Sequence, residues 1–215
     1  MKVAVIGATG FVGQNLVKEL AERGHEVLAI ARNIDKVVSR QNVEAKSVDV
    51  TNQQALADAI SGYDVVVSAF NAGWTNPNIY SDFIKGSEAI QAGVKASNVN
   101  RLIVIGGAGS LFVDGNQLVD GENFPAEYKA GATAARDYLN ALKEEKVLNW
   151  TFFSPAIEMH PGITTGRTGK YRLELENPVF DEAGRSILSV EDLAVVIADE
   201  VESNAHPRQR FTAAY

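Results

Sequence analysis

The sequence predicts an α/β protein, a parallel sheet wound on both faces by helices, and three observations predict it. Apolar, β-branched segments alternate with segments of helical periodicity along all 215 residues. The chain starts with a continuous apolar run, Val3 to Ile6, which suits a central parallel strand covered on both faces. That run meets glycines at Gly7, Gly10 and Gly13 and then enters a helical pattern, giving the local order strand, tight turn, helix. The length fits one domain, 1–215, rather than two.

The elements follow in order. After the glycine turn, Phe11, Val12, Leu16, Val17, Leu20 and Ala21 recur at helical spacing, and Gly24 stops the helix. Val27 to Ala31 is the second strand, followed by a short helix from Ile34 to Val38 and a third strand from Ala45 to Val50. Thr51 and Gln54 form a capping box for the next helix, which ends at Gly62. Asp64 to Phe70 is the fourth strand, and a loop from Asn71 to Pro77 leads to a helix carrying Ile79, Phe83, Ile84, Ile90 and Val94. Arg101 to Ile105 is the fifth strand. Pro125 starts a helix reaching Lys143, and Trp150 to Phe153 is the sixth strand. Residues 155–189 read as a loop region on the substrate side, a small C-terminal elaboration in which His160 to Lys170 forms a lid. Ser189 and Asp192 cap a last helix, and Gln209 to Ala213 is a closing strand. Right-handed crossovers make this a doubly wound sheet, the Rossmann arrangement.

Composition removes several classes of function. A net charge of −7 provides no basic footprint for nucleic acid or an anionic membrane surface. No apolar stretch approaches the ~20 residues that span a bilayer, and the first residues enter a strand directly, so a soluble cytoplasmic protein, monomeric or homodimeric, is expected. The absence of cysteine excludes disulfides, thiol catalysis and thiolate metal sites. Three histidines far apart in sequence make no metal cluster.

The glycine turn carries the strongest chemistry. Gly7 permits the tight turn, Gly10 lets main chain approach a pyrophosphate, and Gly13 lets the helix pack closely on the strand. With Thr9, Phe11 and Val12 they form the candidate phosphate-binding segment, because free amides and the dipole at a helix start attract anions. Arg32 follows the second strand, where an acidic residue would bond the ribose of NAD, and its guanidinium suits the 2′-phosphate of NADP instead. NADP(H) is therefore the expected cofactor, with NAD(H) possible. Ala69 and Phe70 end the fourth strand and Gly106 follows the fifth, all at the carboxyl edge where ligands bind in parallel sheets.

The spacing GxxGxxG, filled by Ala8 and Thr9, resembles the turn of extended and atypical short-chain dehydrogenase/reductases. Over nearly its whole length the chain resembles their atypical NADH-flavin reductase or NAD(P)H-binding branch, near the flavin reductase/biliverdin reductase B group. GATGFVG (Gly7 to Gly13), GGAGS (Gly106 to Ser110), FSPA (Phe153 to Ala156) and SVEDLA (Ser189 to Ala194) carry the resemblance. It implies that Asp49 and Val50 border the adenine ring. It also implies a serine after the fifth strand and a histidine after the sixth, and Ser110 and His160 lie a few residues beyond those places.

Most short-chain dehydrogenases use YxxxK, a tyrosine that moves the substrate proton and a lysine that lowers its pKa. Here Tyr128 is followed at once by Lys129, about 100° away around a helix. A flavin needs less, because its ring accepts the hydride itself and water supplies the proton. The expectation is a reductase passing hydride from NADPH to a flavin or quinone, small flat acceptors bound as substrates. Ser110, Tyr128 and His160 are the candidate catalytic residues, and Trp74 is a candidate stacking platform. The alternatives are a non-catalytic NADP(H) sensor of NmrA type and a nucleotide-sugar epimerase or dehydratase.

Overall fold

The computed structural model describes residues 1–215. Its strands are β1 (Lys2–Ile6), β2 (Glu26–Ala31), β3 (Val43–Ser47), β4 (Val65–Ser68), β5 (Arg101–Ile105), β6 (Phe112–Val113), β7 (Asn116–Gln117), β8 (Asn149–Phe153), β9 (Arg172–Glu174) and β10 (Gln209–Ala214). The helices are α1 (Phe11–Glu22), α2 (Gln53–Ile60), α3 (Ile79–Ala96), α4 (Ala126–Leu142) and α5 (Val190–Ser203). Eight strands form one sheet in the order β3-β2-β1-β4-β5-β8-β10-β9, all parallel except β9, which runs antiparallel to β10. The order turns back between β1 and β4, which makes the crevice at their carboxyl ends the expected ligand position.

Side-chain alternation along each strand divides the core into two layers. Val3 and Val5 point into a layer with Leu16, Leu20, Leu193 and Ile197 from α1 and α5. Ala4 and Ile6 point into the other, with Leu56, Phe83, Ile90 and Tyr138 from α2, α3 and α4. Val3 to Ile6 are all at most 1% exposed, which is why the run carries no polar residue. No helix is long and apolar enough to cross a membrane.

Three local expectations are corrected. No helix forms from Ile34 to Val38: the Asn33 side chain accepts from the Asp35 amide and only one turn bond, Val37 to Ile34, follows. Five residues are too few to offset helix nucleation without more packing. The third strand is β3, Val43–Ser47, because its register pairs Val43 with Val27. The Val48 amide extends the pairing to Ala31 before Asp49 turns away. The cap of α2 is Asn52, whose side chain accepts from the Ala55 amide, while the Thr51 hydroxyl donates to Asp49. The end of the expected lid or substrate loop is tied to two helices: Arg167 forks onto Glu19 of α1 at 2.8 Å, and Asp192 of α5 accepts from the Thr168 and Gly169 amides.

Beyond α4, Glu145 ties the connection to α3. Its carboxylate accepts from Gln91 and Lys95 and from the amides of Val147 and Leu148. Burial raises its pKa, but these donors outweigh burial and hold it at about 2. Because this lies below the ordinary value of 4.5, the stabilisation is complete above about pH 4.5 and lost as pH falls toward 2. Glu145→Gln is expected to cost on the order of 2 kcal/mol at pH 7. Urea denaturation should show the gap between variant and parent closing between pH 4.5 and 2.

Candidate functional site

The carboxyl ends of β1, β2, β4, β5 and β8 bring most of the candidate residues to one edge. Gly7, at φ +77°, directs its amide and that of Ala8 to the Ile30 carbonyl at 2.9 and 3.1 Å. A Cβ at Gly7 would stand 2.5 Å from the Ala69 carbonyl oxygen, so the turn lies directly against the end of β4. A Cβ at Gly13 would stand 2.1 Å from the Gly7 oxygen. Gly10 caps α1 and supplies no side-chain acceptor. The amides of Phe11, Val12 and Gly13 consequently donate to no group of the chain. Thr9 precedes them, and its carbonyl accepts from Gln14 at 2.7 Å. A glycine-lined cradle ending in three unpartnered donors fits the pyrophosphate of a dinucleotide.

Arg32 is exposed at the end of β2, and its guanidinium meets no acceptor, while its carbonyl accepts from Ser47 at 2.8 Å. Nearby, Lys18, Lys36 and Arg40 line a depression of about 190 Å³ beside Ala8 and Gln14. Asp49 is exposed; bonds from the Thr51 amide and hydroxyl hold its carboxyl below its usual range, and the charges of Arg32 and Lys85 add to this. Val50 is half-buried against the layer of α2 and α3.

At the end of β4 the Ala69 amide donates to Ile6 at 2.9 Å. The Phe70 ring turns into α3, stacked on Phe83 at 6.0 Å and seated where a Cβ on Gly86 would be 2.3 Å from its Cζ. Only the main chain of Phe70 therefore remains at the crevice. Gly106 donates to the Phe153 carbonyl at 2.8 Å, and the Phe152 ring occupies the space a Cβ would need.

No hydrogen bond links any pair of the three catalytic candidates, and each has different neighbours. Ser110 is fully buried, its hydroxyl 2.9 Å from that of Ser154 and 3.1 Å from the Gly107 carbonyl. It braces the glycine loop against β8. Tyr128 is in the first turn of α4, half exposed, with its hydroxyl unpartnered and its ring edge-on to Trp74 at 5.5 Å. His160 is exposed, and its Nδ1 accepts from the Gly162 amide at 3.1 Å.

Sequence reasoning missed Arg210. It is 3% exposed on β10, donates to the Ser110 carbonyl at 2.7 Å and pairs with Glu176, so it ties both the glycine loop and the segment just after β9 to β10. The signal was an arginine amid apolar residues in the terminal strand, RFTAA.

Comparison with known proteins agrees with this geometry. Residues 7–204 match the family described as NAD(P)H-binding. The uncharacterised protein YwnB of Bacillus subtilis is 37% identical over 215 residues, covering 99% of this chain and 97% of its own. A solved structure from Bacteroides thetaiotaomicron, provisionally described as an epimerase, is 41% identical, with a TM-score of 0.91 over 100% of this chain and 96% of the other. One from Streptococcus pneumoniae, provisionally described as an NADH-flavin reductase, is 35% identical, with a TM-score of 0.88 over 100% and 99%.

Proposed function

Because the chain belongs to the NAD(P)H-binding family, we propose that it is a reductase using NADPH and passing hydride to a flat acceptor, a flavin or a quinone. The observation that carries this reading is a glycine turn ending in three unpartnered amides, in a chain whose Tyr128 has no lysine on its helical face. The amides of Phe11 to Gly13 hold the pyrophosphate, Gly7 and Gly10 give it room, and Arg32 bonds the 2′-phosphate. Asp49 and Val50 border the adenine, and the main chain of Ala69, Phe70 and Gly106 lines the crevice toward the reacting ring. When bound, the nicotinamide supplies the hydride. A flavin or quinone takes it into its own conjugated ring and draws its proton from water, so the chain need only orient the two rings.

Ser110 and His160 enter this reading as supports of the loops around the crevice rather than as proton donors. The description of the Bacteroides neighbour names an epimerase; epimerisation of a nucleotide sugar would ask for a proton relay on the sugar hydroxyl, and Tyr128 with Lys129 cannot form one. The pneumococcal neighbour's description supports the flavin instead.

Steady-state assays with NADPH and FMN, FAD or a quinone test the proposal, and turnover no faster than the enzyme-free rate would sink it. Tyr128→Phe keeps the ring and removes the hydroxyl. It is expected to retain kcat for FMN within about threefold, against the ~100-fold or greater loss that removal of a general acid causes.

A further inference from the structure

We propose that Trp74, buttressed by Tyr128 set edge to face against it, is the wall on which the acceptor's ring stacks, so that the site selects planar, electron-poor aromatic acceptors over aliphatic carbonyl compounds. This rests on the hydride-transfer reading above and adds where the acceptor binds and what it must be.

Trp74 and Tyr128 are 56% and 48% exposed, although both carry large apolar rings that burial favours. They come from neighbouring crossovers, β4 to α3 and β5 to α4, and meet edge to face at 5.5 Å and 89°. The loop that carries Trp74 is firmly built. The Gly73 amide donates to Asn71 Oδ1 at 2.7 Å, and the Asn76 amide donates to the Gly73 carbonyl at 3.0 Å. The Asn76 side chain donates to the Ala72 carbonyl at 3.2 Å and to Asp82 at 2.8 Å. The indole is therefore held in place before anything binds, which lowers the ordering cost of association.

Its seat depends on one glycine. A Cβ at Gly131 of α4 would lie 2.8 Å from Trp74 Cζ3 and 2.9 Å from Ile79 Cδ1, so the indole rim rests on the bare helix backbone while the rest stays open. The same loop leaves β4 at Ala69, whose carbonyl abuts Gly7 of the cofactor turn. Phe11 and Ile157, from the crossovers after β1 and β8, are also exposed, so four connections present apolar side chains at the carboxyl edge. An electron-rich indole stacks favourably on an oxidised flavin or quinone, and the reduced, electron-rich ring stacks less well and leaves.

Two variants and two measurements test the wall. Trp74→Ala is expected to raise the KM for FMN about tenfold with the KM for NADPH within twofold, and Gly131→Ala, which lifts the indole off its seat, is expected to act in the same direction. In the parent, FMN titrated with NADP⁺ present should quench the exposed indole. In Trp74→Ala, which keeps only the buried Trp150, that quenching should disappear. An FMN KM within twofold of the parent in Trp74→Ala overturns the wall whatever the fluorescence shows. If the parent turns over no flavin and no quinone, the reductase reading fails and the titration alone decides: quenching lost in Trp74→Ala supports the wall, and equal quenching in both proteins overturns it.

Discussion

Gly13→Ala is expected to lower stability by about 3 kcal/mol, seen as a fall in Tm of about 6–12 °C, and to abolish NADPH binding. The added methyl would sit 2.1 Å from the Gly7 oxygen, 2.8 Å from the Gly7 carbonyl carbon and 2.9 Å from the Ala8 Cα. All three are backbone atoms of the turn, so no side chain can move aside, and α1 must separate from β1. Gly10→Ala is the matched control. Gly10 has φ −78°, and the nearest atom to its added Cβ, the Gly7 oxygen, is 3.3 Å away. Its Tm should stay within about 2 °C of the parent, while the methyl projects where a pyrophosphate must approach and weakens NADPH binding about tenfold or more. Thermal melts and cofactor titrations of the two variants separate the glycine that packs the helix from the one that admits the ligand. Parent-like NADPH affinity in Gly10→Ala would move the phosphate away from this turn.

Arg32→Glu is expected to raise the Kd for NADPH about 100-fold or more and to leave that for NADH within about threefold. The guanidinium is exposed and has no acceptor within the chain, so its removal should cost little stability. Charge-assisted bonds to a phosphate contribute about 1.5–3 kcal/mol, and replacing the cation by a carboxylate adds repulsion that NADH does not feel. The Asp49 carboxylate, ionised and within reach of the same field, already disfavours an anion there once Arg32 is gone. Equal losses for both cofactors would show that Arg32 does not read the 2′-phosphate.

What could be read in the sequence was what one short stretch decides. The β1 run and the apolar spacing of α1 are local, and the structure buries Val3 to Ile6 and Leu16, Val17, Leu20 and Ala21 as the pattern implies, while Phe11, at the start of α1, stays exposed. β3 was misplaced because it is an edge strand whose residues Glu44 to Ser47 are all exposed, leaving no apolar alternation to mark its limits. β9 escapes the pattern for the same reason, being three exposed residues whose strand form comes from register with β10. In the candidate site, Gly7, Gly10 and Gly13 are read from their spacing and Arg32 from its place after β2. The burial of Ser110 could not, because Ser154 and Arg210, distant in sequence, enclose it. The pairing of Trp74 with Tyr128 was likewise hidden, since Gly131 permits it through a contact between two crossovers.

On the reading proposed above, NADPH held at the glycine turn gives its hydride to an acceptor that needs no proton relay from the chain. An anaerobic single turnover, with NADPH at enzyme concentration and FMN in excess, tests it most directly. Absorbance at about 340 nm and at about 450 nm should fall together, one FMN reduced per NADPH, and deuterium at the transferred position of the nicotinamide should slow both equally. NADPH that binds tightly yet keeps its 340 nm absorbance with every flavin and quinone offered would contradict the claim and identify a nucleotide sensor.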